Sequence, residues 1–86
     1  MINRTEHPAA WAMLLYELAD AHEHLGDLIQ NMSRDADYGE PELRIALGHV
    51  YAHLNRAWRR RSVAGDWCQE DWRAAGQFPD DLQPIA

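Results

Sequence analysis

Residues 11–32 read WAMLLYELADAHEHLGDLIQNM, and their large apolar side chains recur in alternating steps of four and three residues. That spacing puts the side chains on one face of an α-helix and is typical of a coiled-coil seam. The seam positions are Trp11, Leu15, Leu18, His22, Leu25, Ile29 and Met32. One flank of this seam carries Leu14, Ala21 and Leu28, so the apolar arc is wider than one neighbouring helix covers.

Working outward from this stretch, four segments are predicted: a helix at residues 8–33, a second helix at 41–63, a short third helix at 66–75 and an extended tail at 76–86. Pro8 and Pro41 suit first helical turns, where the missing N–H of proline costs no hydrogen bond. Asp66 and Gln69 resemble a capping box at the start of the third helix. The second helix has an apolar seam of its own, made of Leu43, Leu47, Val50, Leu54 and Ala57.

The loop at residues 34–40 makes the two long helices antiparallel neighbours. With the turn in the middle of that loop, facing positions have numbers that sum to about 74. This places Glu17 near Ala57 and His24 near Val50. The predicted fold class is therefore all-α, an antiparallel helical hairpin with a short third helix and an extended C-terminal tail.

The wide apolar face of the first helix predicts self-association. A chain of 86 residues forms one domain and buries a small share of its surface, so small chains often gain a larger core by pairing. We expect a homodimer, most simply a four-helix bundle of two hairpins with two-fold symmetry. The residues predicted at the dimer interface are Trp11, Leu14, Leu18, Leu25, Leu28 and Met32.

Composition and missing motifs narrow the function classes. Cys68 is the single cysteine, which excludes an internal disulfide and a cysteine-based zinc cage and leads us to expect a cytoplasmic protein. No stretch has the form of a signal peptide or the roughly 18 apolar residues of a membrane span, so no membrane association is expected. The sequence lacks a glycine-rich phosphate loop, a His-Glu-x-x-His pair and a Gly-x-Ser-x-Gly elbow. These absences favour a protein that is not an enzyme.

Charge is unevenly distributed along the chain. The total of −6 divides into −7 for residues 1–42, +5 for residues 43–65 and −4 for residues 66–86. Since acidic segments flank the basic middle, we expect much of its charge to be neutralised within the chain, and we do not expect nucleic-acid binding. A protein partner or a phosphorylated small ligand stays open as an alternative. The candidate residues for such a ligand or partner are Arg56, Trp58, Arg59 and Arg60.

Histidines and carboxylates gather at one level of the predicted hairpin. His49 and His53 are four residues apart on the second helix and present two ring nitrogens on one face. The facing part of the first helix carries His22, His24, Asp20 and Glu17, of which Glu17, Asp20 and His24 form an outer stripe. No cofactor is expected, but a divalent transition metal bound by this set is the alternative. His22 and His24 point about 160° apart on the helix, so they cannot serve one site, and His22 is placed instead to fix the register of a dimer.

The stretch Leu15-Tyr-Glu-Leu-Ala-Asp-Ala21 resembles the Glu-x-x-Asp helix of all-α nucleotide pyrophosphohydrolases of the MazG type. The resemblance implies an oligomeric helical bundle that holds magnesium through two such acidic motifs. Glu17 and Asp20 match the first motif, whereas residues 43–61 contain no carboxylate for the second.

Together these patterns favour a small homodimeric helical binding or regulatory module. The alternative is a metal-binding helical bundle or a metal-dependent hydrolase that uses the histidine and carboxylate set.

Overall fold

The computed structural model describes residues 1–86. It contains three α-helices and no strands. The helices are α1 (Pro8–Arg34), α2 (Glu40–Arg60) and α3 (Gln69–Ala75). The two long helices pack along each other as an antiparallel hairpin, and α3 packs on α2. The predicted all-α hairpin with a short third helix is confirmed. None of the helices is both long and apolar enough to cross a membrane.

Local sequence explains where the long helices begin and end. A proline lies in the first turn of each, and the Glu42 carboxylate accepts the Gly39 N–H at 3.0 Å at the start of α2. The helix ends at Arg60 rather than at the predicted Val63: Arg61 and Ser62 form a turn, and Val63 is irregular. The Ser62 and Val63 N–H groups donate to the carbonyls of Arg59 and Arg60, three residues earlier, so the last turn tightens and the α-helix ends. The Arg61 carbonyl accepts the Ile2 N–H at 2.7 Å.

The stripe of α1 that meets α2 is the flank of its seam. Leu14, Ala21 and Leu28, seven residues apart, are buried in α1, while Val50 and Ala57 are buried in α2. Alanine on both helices allows close approach of the two backbones. The seam itself is turned about a quarter of a circle away from α2, as the 100° step between helical residues requires.

The chain start supplies a core residue that the sequence did not predict. Ile2 is 5% exposed and forms one buried cluster with Leu14 and Ala57, against which Trp11 packs. A lone isoleucine in a polar segment has no periodic pattern that would mark it as buried. Residues 1–7 therefore close the open end of the hairpin.

The short third helix begins three residues later than predicted, at Gln69. The Cys68 N–H donates to the Asp71 carboxylate at 2.9 Å, and Arg59 donates to the same side chain at 2.7 Å. Asp71 thereby caps α3 and ties it to α2. The tail beyond α3 returns to α2, where Asp81 accepts the Trp58 indole N–H at 2.9 Å.

Candidate functional site

One side of the hairpin is apolar and open. Its large side chains are 36% to 59% exposed, and we call this set the apolar face: Leu15, Leu18, Leu25, Ile29 and Met32 of α1 with Leu47 and Leu54 of α2. On each helix these positions lie about a quarter turn from the buried stripe, and the antiparallel arrangement brings both sets to the same side. His22 lies within this face and is exposed. The face carries no carboxylate and no guanidinium.

The predicted interface residues divide between this face and the hairpin interior. Leu18, Leu25 and Met32 belong to the apolar face. Leu14 and Leu28 are 9% and 4% exposed because they pack against α2 within one chain. Trp11 packs on the cluster formed by Ile2, Leu14 and Ala57. Three of the six residues are thus already covered, fully or in part, without a second copy.

A charged cluster lies between the two helices around Glu17, whose side chain is 13% exposed. His53 Nδ1 lies 2.8 Å from Glu17 Oε2, and Arg56 Nε donates to both carboxylate oxygens at 3.1 Å. Arg60 Nε lies 3.6 Å from Glu17 Oε1, and its guanidinium lies over the Trp67 ring at 4.2 Å. The sequence placed Glu17 on an outer stripe, but the structure turns it inward. The reason is that the flank residues, not the seam, face α2.

Three histidine rings stack beside this cluster, on the side of the hairpin away from the apolar face. His24 of α1 lies 4.6 Å from His49 and 5.1 Å from His53 between ring centroids, and the two α2 rings are 6.0 Å apart. The ring planes differ by 21° to 28°. We call these three residues the histidine triad. Their contacts confirm the helix register expected from the sequence.

Hydrogen bonding in the triad is confined to one nitrogen. Nδ1 of His53 lies 2.8 Å from Glu17 Oε2 and 2.9 Å from Arg56 Nη2. The carboxylate favours a proton on this nitrogen, whereas the guanidinium, which can only donate, favours a lone pair there. In the tautomer that donates to Glu17, Nε2 of His53 carries the lone pair. Neither ring nitrogen of His24 or His49 is hydrogen-bonded within the protein, and Nε2 of His53 is not either.

The structure gathers part of the predicted metal-ligating set. Glu17, His24, His49 and His53 meet between the helices, and Asp20 lies exposed one turn before His24. His22 lies on the apolar face, away from the others. With the rings stacked as they are, no three His, Cys, Asp or Glu side chains are arranged to hold one metal ion.

Glu17 is also the first residue of the motif that resembles the pyrophosphohydrolases. Its carboxylate is already paired with Arg56, Arg60 and His53. A carboxylate neutralised by two guanidiniums is a poor ligand for magnesium, because the ion competes with charges already paired at contact distance.

The arginines predicted as a ligand or partner site all have partners within the chain. Arg56 and Arg60 bind Glu17, and Arg59 binds Asp71. Trp58 donates to Asp81, and the guanidinium of Arg61 lies 3.5 Å above the Trp58 ring. The five arginines of the basic middle thus pair with four acids from the two flanking segments, with Arg56 and Arg60 sharing Glu17.

Two carboxylates that sequence reasoning did not single out anchor α3 and the tail. The Cys68 backbone N–H, and next the Arg59 side chain, lower the pKa of Asp71 below its usual 3.8. The Trp58 indole N–H, assisted by Arg61, lowers the pKa of Asp81. Both acids lie in short polar stretches, and only their distant partners on α2 reveal their role.

A cleft of about 610 Å³ opens between α2, α3 and the tail. Three arginines line it, and each is paired with a carboxylate: Arg59 with Asp71, Arg61 with Asp81 and Arg73 with Glu70. Since no cation is left unpaired, the cleft offers no evident charge for an anionic ligand.

The chain matches no known protein-family model, no curated protein and no solved structure.

Proposed function

We propose that the protein works as a homodimeric helical binding module in which two hairpins pair through the apolar face, forming a four-helix bundle. The observation that carries this proposal is the apolar face itself, with seven large apolar side chains exposed on one side of the hairpin. A contiguous apolar surface of this kind marks an interaction site rather than ordinary surface.

Surface area supports the same conclusion. A folded monomer of 9.9 kDa is expected to expose about 5,200 Å², whereas this chain exposes 6696 Å². The difference, about 1,500 Å², is nearly twice the roughly 800 Å² that each partner buries in a standard interface. The extended tail contributes part of the excess, and the apolar face contributes a continuous area along both long helices.

Burial within one chain is also thin. Only 10 of 86 residues are buried, and no large side chain is fully enclosed. A core this small buries little apolar area to offset the conformational entropy that the chain loses on folding. Pairing two hairpins adds apolar burial where the single chain lacks it.

Charge does not oppose a second copy of this chain at the apolar face. The chain carries a net charge of −6, so two copies repel each other wherever acidic surfaces meet. The apolar face is free of charged side chains, so an isologous two-fold contact brings no like charges together.

Leu25→Asp tests the interface. Leu25 is 42% exposed in the single chain and lies midway along the α1 part of the face. A carboxylate there would be buried unpaired in the dimer, so we expect the mass in sedimentation equilibrium to fall from that of a dimer to 9.9 kDa. Gln30→Asp is the matched control, because Gln30 is exposed on the outer side of the same helix, and it should leave the mass unchanged.

A second variant acts in the opposite direction. His22→Leu removes the polar ring from the apolar face and should shift the monomer–dimer equilibrium toward the dimer. The proposed interface is refuted if Leu25→Asp keeps the wild-type mass, or if His22→Leu dissociates the protein as strongly as Leu25→Asp.

A further inference from the structure

We propose that the histidine triad, His24, His49 and His53, binds one divalent transition-metal ion between α1 and α2. The site lies on the side of the hairpin opposite the apolar face. It does not depend on the proposed dimer, since each chain supplies all three rings.

Ring spacing supports a shared ion. An imidazole nitrogen lies 2.0 to 2.1 Å from a bound zinc ion, which puts the ring centroid about 3.2 Å from it. Three rings in a tetrahedral arrangement then have centroids about 5 Å apart. The observed separations are 4.6, 5.1 and 6.0 Å. The ring centroids therefore lie within about 1 Å of the separations that one ion requires.

Hydrogen bonding prepares His53 as a ligand. Glu17 Oε2 and Arg56 Nη2 lie 2.8 and 2.9 Å from Nδ1 of His53, so Nε2 is the ring nitrogen without a partner in the protein. An ion bound at Nε2 selects the tautomer in which Nδ1 donates to Glu17. Metal-ligating histidines commonly bind a carboxylate through the nitrogen that does not bind the metal. Glu17 is thus a positioning residue in this site. The nitrogens of His24 and His49 have no competing partners in the protein.

Binding requires the rings to turn. In the stacked arrangement the ring planes are nearly parallel, so the nitrogens do not point to a common centre. His49 is exposed and His24 is half-buried, so packing does not lock either ring. The terminal torsion of histidine has a broad energy profile, and rotation about it is inexpensive.

Charge and donor type indicate the class of ion. Between Glu17 and Asp27, α1 carries four acids and no base, while Arg56 and Arg60 from α2 are paired with Glu17. These two guanidiniums outnumber Glu17, and Arg56 Nη2 lies 2.9 Å from Nδ1 of His53, so the α1 acids left to attract a cation are Asp20, Glu23 and Asp27. Neutral imidazole nitrogens favour zinc, copper or nickel over calcium and magnesium, and three such ligands leave the fourth position open to water.

The test is a calorimetric titration of the untagged, full-length chain with Zn²⁺. A Cys68→Ser background removes the exposed thiol as a competing ligand. We expect one ion per chain. His49→Ala and His24→Ala should each weaken binding at least tenfold, because each removes one of three ligands from a partly exposed position and leaves the helix contacts in place.

His22→Ala is the matched control, since this histidine is on the same helix as His24 but on the apolar face. Its Zn²⁺ affinity should equal that of the parent. The proposal is overturned if His49→Ala and His24→Ala bind as tightly as the parent, or if His22→Ala loses as much affinity as they do. Histidine ring signals in NMR provide a second readout, in which Zn²⁺ should shift the triad and leave His22 unchanged. Failure of the metal-site proposal would leave the dimer proposal unaffected, because the dimer is tested separately by the mass in sedimentation equilibrium.

Discussion

Glu17→Gln tests whether the charge of Glu17 stabilises the packing of α1 against α2. Glutamine keeps the shape of the side chain and removes its charge. In the structure, the Glu17 carboxylate faces Arg56 Nε at 3.1 Å, Arg60 Nε at 3.6 Å and His53 Nδ1 at 2.8 Å. Without that charge, two guanidiniums between the helices lose their only counter-ion, because neither has another carboxylate partner.

The structure sets the size of the effect. Removing one partner of a fully buried ion pair costs about 3 to 5 kcal/mol. The side chains of Arg60 and Arg56 are 11% and 25% exposed, so water screens part of the uncompensated charge. We therefore expect a loss of about 2 to 4 kcal/mol in the free energy of unfolding. For a domain of this size that corresponds to a drop of at least about 8 °C in Tm.

Urea unfolding followed by far-UV circular dichroism measures this loss. Wild type and variant must be compared at one protein concentration, because dimerisation adds to apparent stability. Glu23→Gln is the control, since Glu23 is exposed on the same helix, and its change should stay within about 0.5 kcal/mol. A Glu17→Gln variant as stable as the Glu23→Gln control would refute the claim that this charge anchors the two helices.

Two further predictions concern the two ends of the chain and the stability of the protein at low pH. Ile2→Ala should destabilise the protein by about 2 to 4 kcal/mol, because Ile2 is 5% exposed in the Leu14 cluster. Ile85→Ala is the control: Ile85 is 97% exposed, so its substitution should leave the free energy of unfolding unchanged in the same urea assay. Equal effects of the two would show that the N-terminal segment is not docked. The lowered pKa values of Asp71 and Asp81 stabilise the folded state above their unfolded value of 3.8, and this contribution is lost as the pH falls through the folded values. Tryptophan fluorescence should therefore report release of α3 and the tail below about pH 4, and a transition centred above pH 5 would contradict this assignment.

Sequence periodicity was sufficient to predict the helices and the excess of apolar surface on α1. It did not predict which stripe of α1 meets α2. Leu14, Ala21 and Leu28 are less bulky as a set than the seam, yet they face α2, and the same orientation brings Glu17 to His53 and Arg56. That choice depends on contacts between residues 36 to 39 positions apart, which no local pattern encodes.

The histidine triad was accessible to sequence reasoning because antiparallel register fixes which levels of two helices meet. Register puts His22 and His24 of α1 at the level of His49 and His53, and the stripe of α1 that faces α2 decides that His24 joins the triad. Ile2, Asp71 and Asp81 were not accessible, since each is a single residue in an irregular segment. Their partners, Arg61, Arg59 and Trp58, all lie near the end of α2, where three separate parts of the chain converge.

The mass of the wild-type protein in solution tests the central claim most directly. Sedimentation equilibrium at micromolar concentration should give twice the chain mass of 9.9 kDa, with the apolar face covered by a second copy. A mass of 9.9 kDa across the micromolar range would contradict the homodimer and leave the apolar face without its proposed occupant.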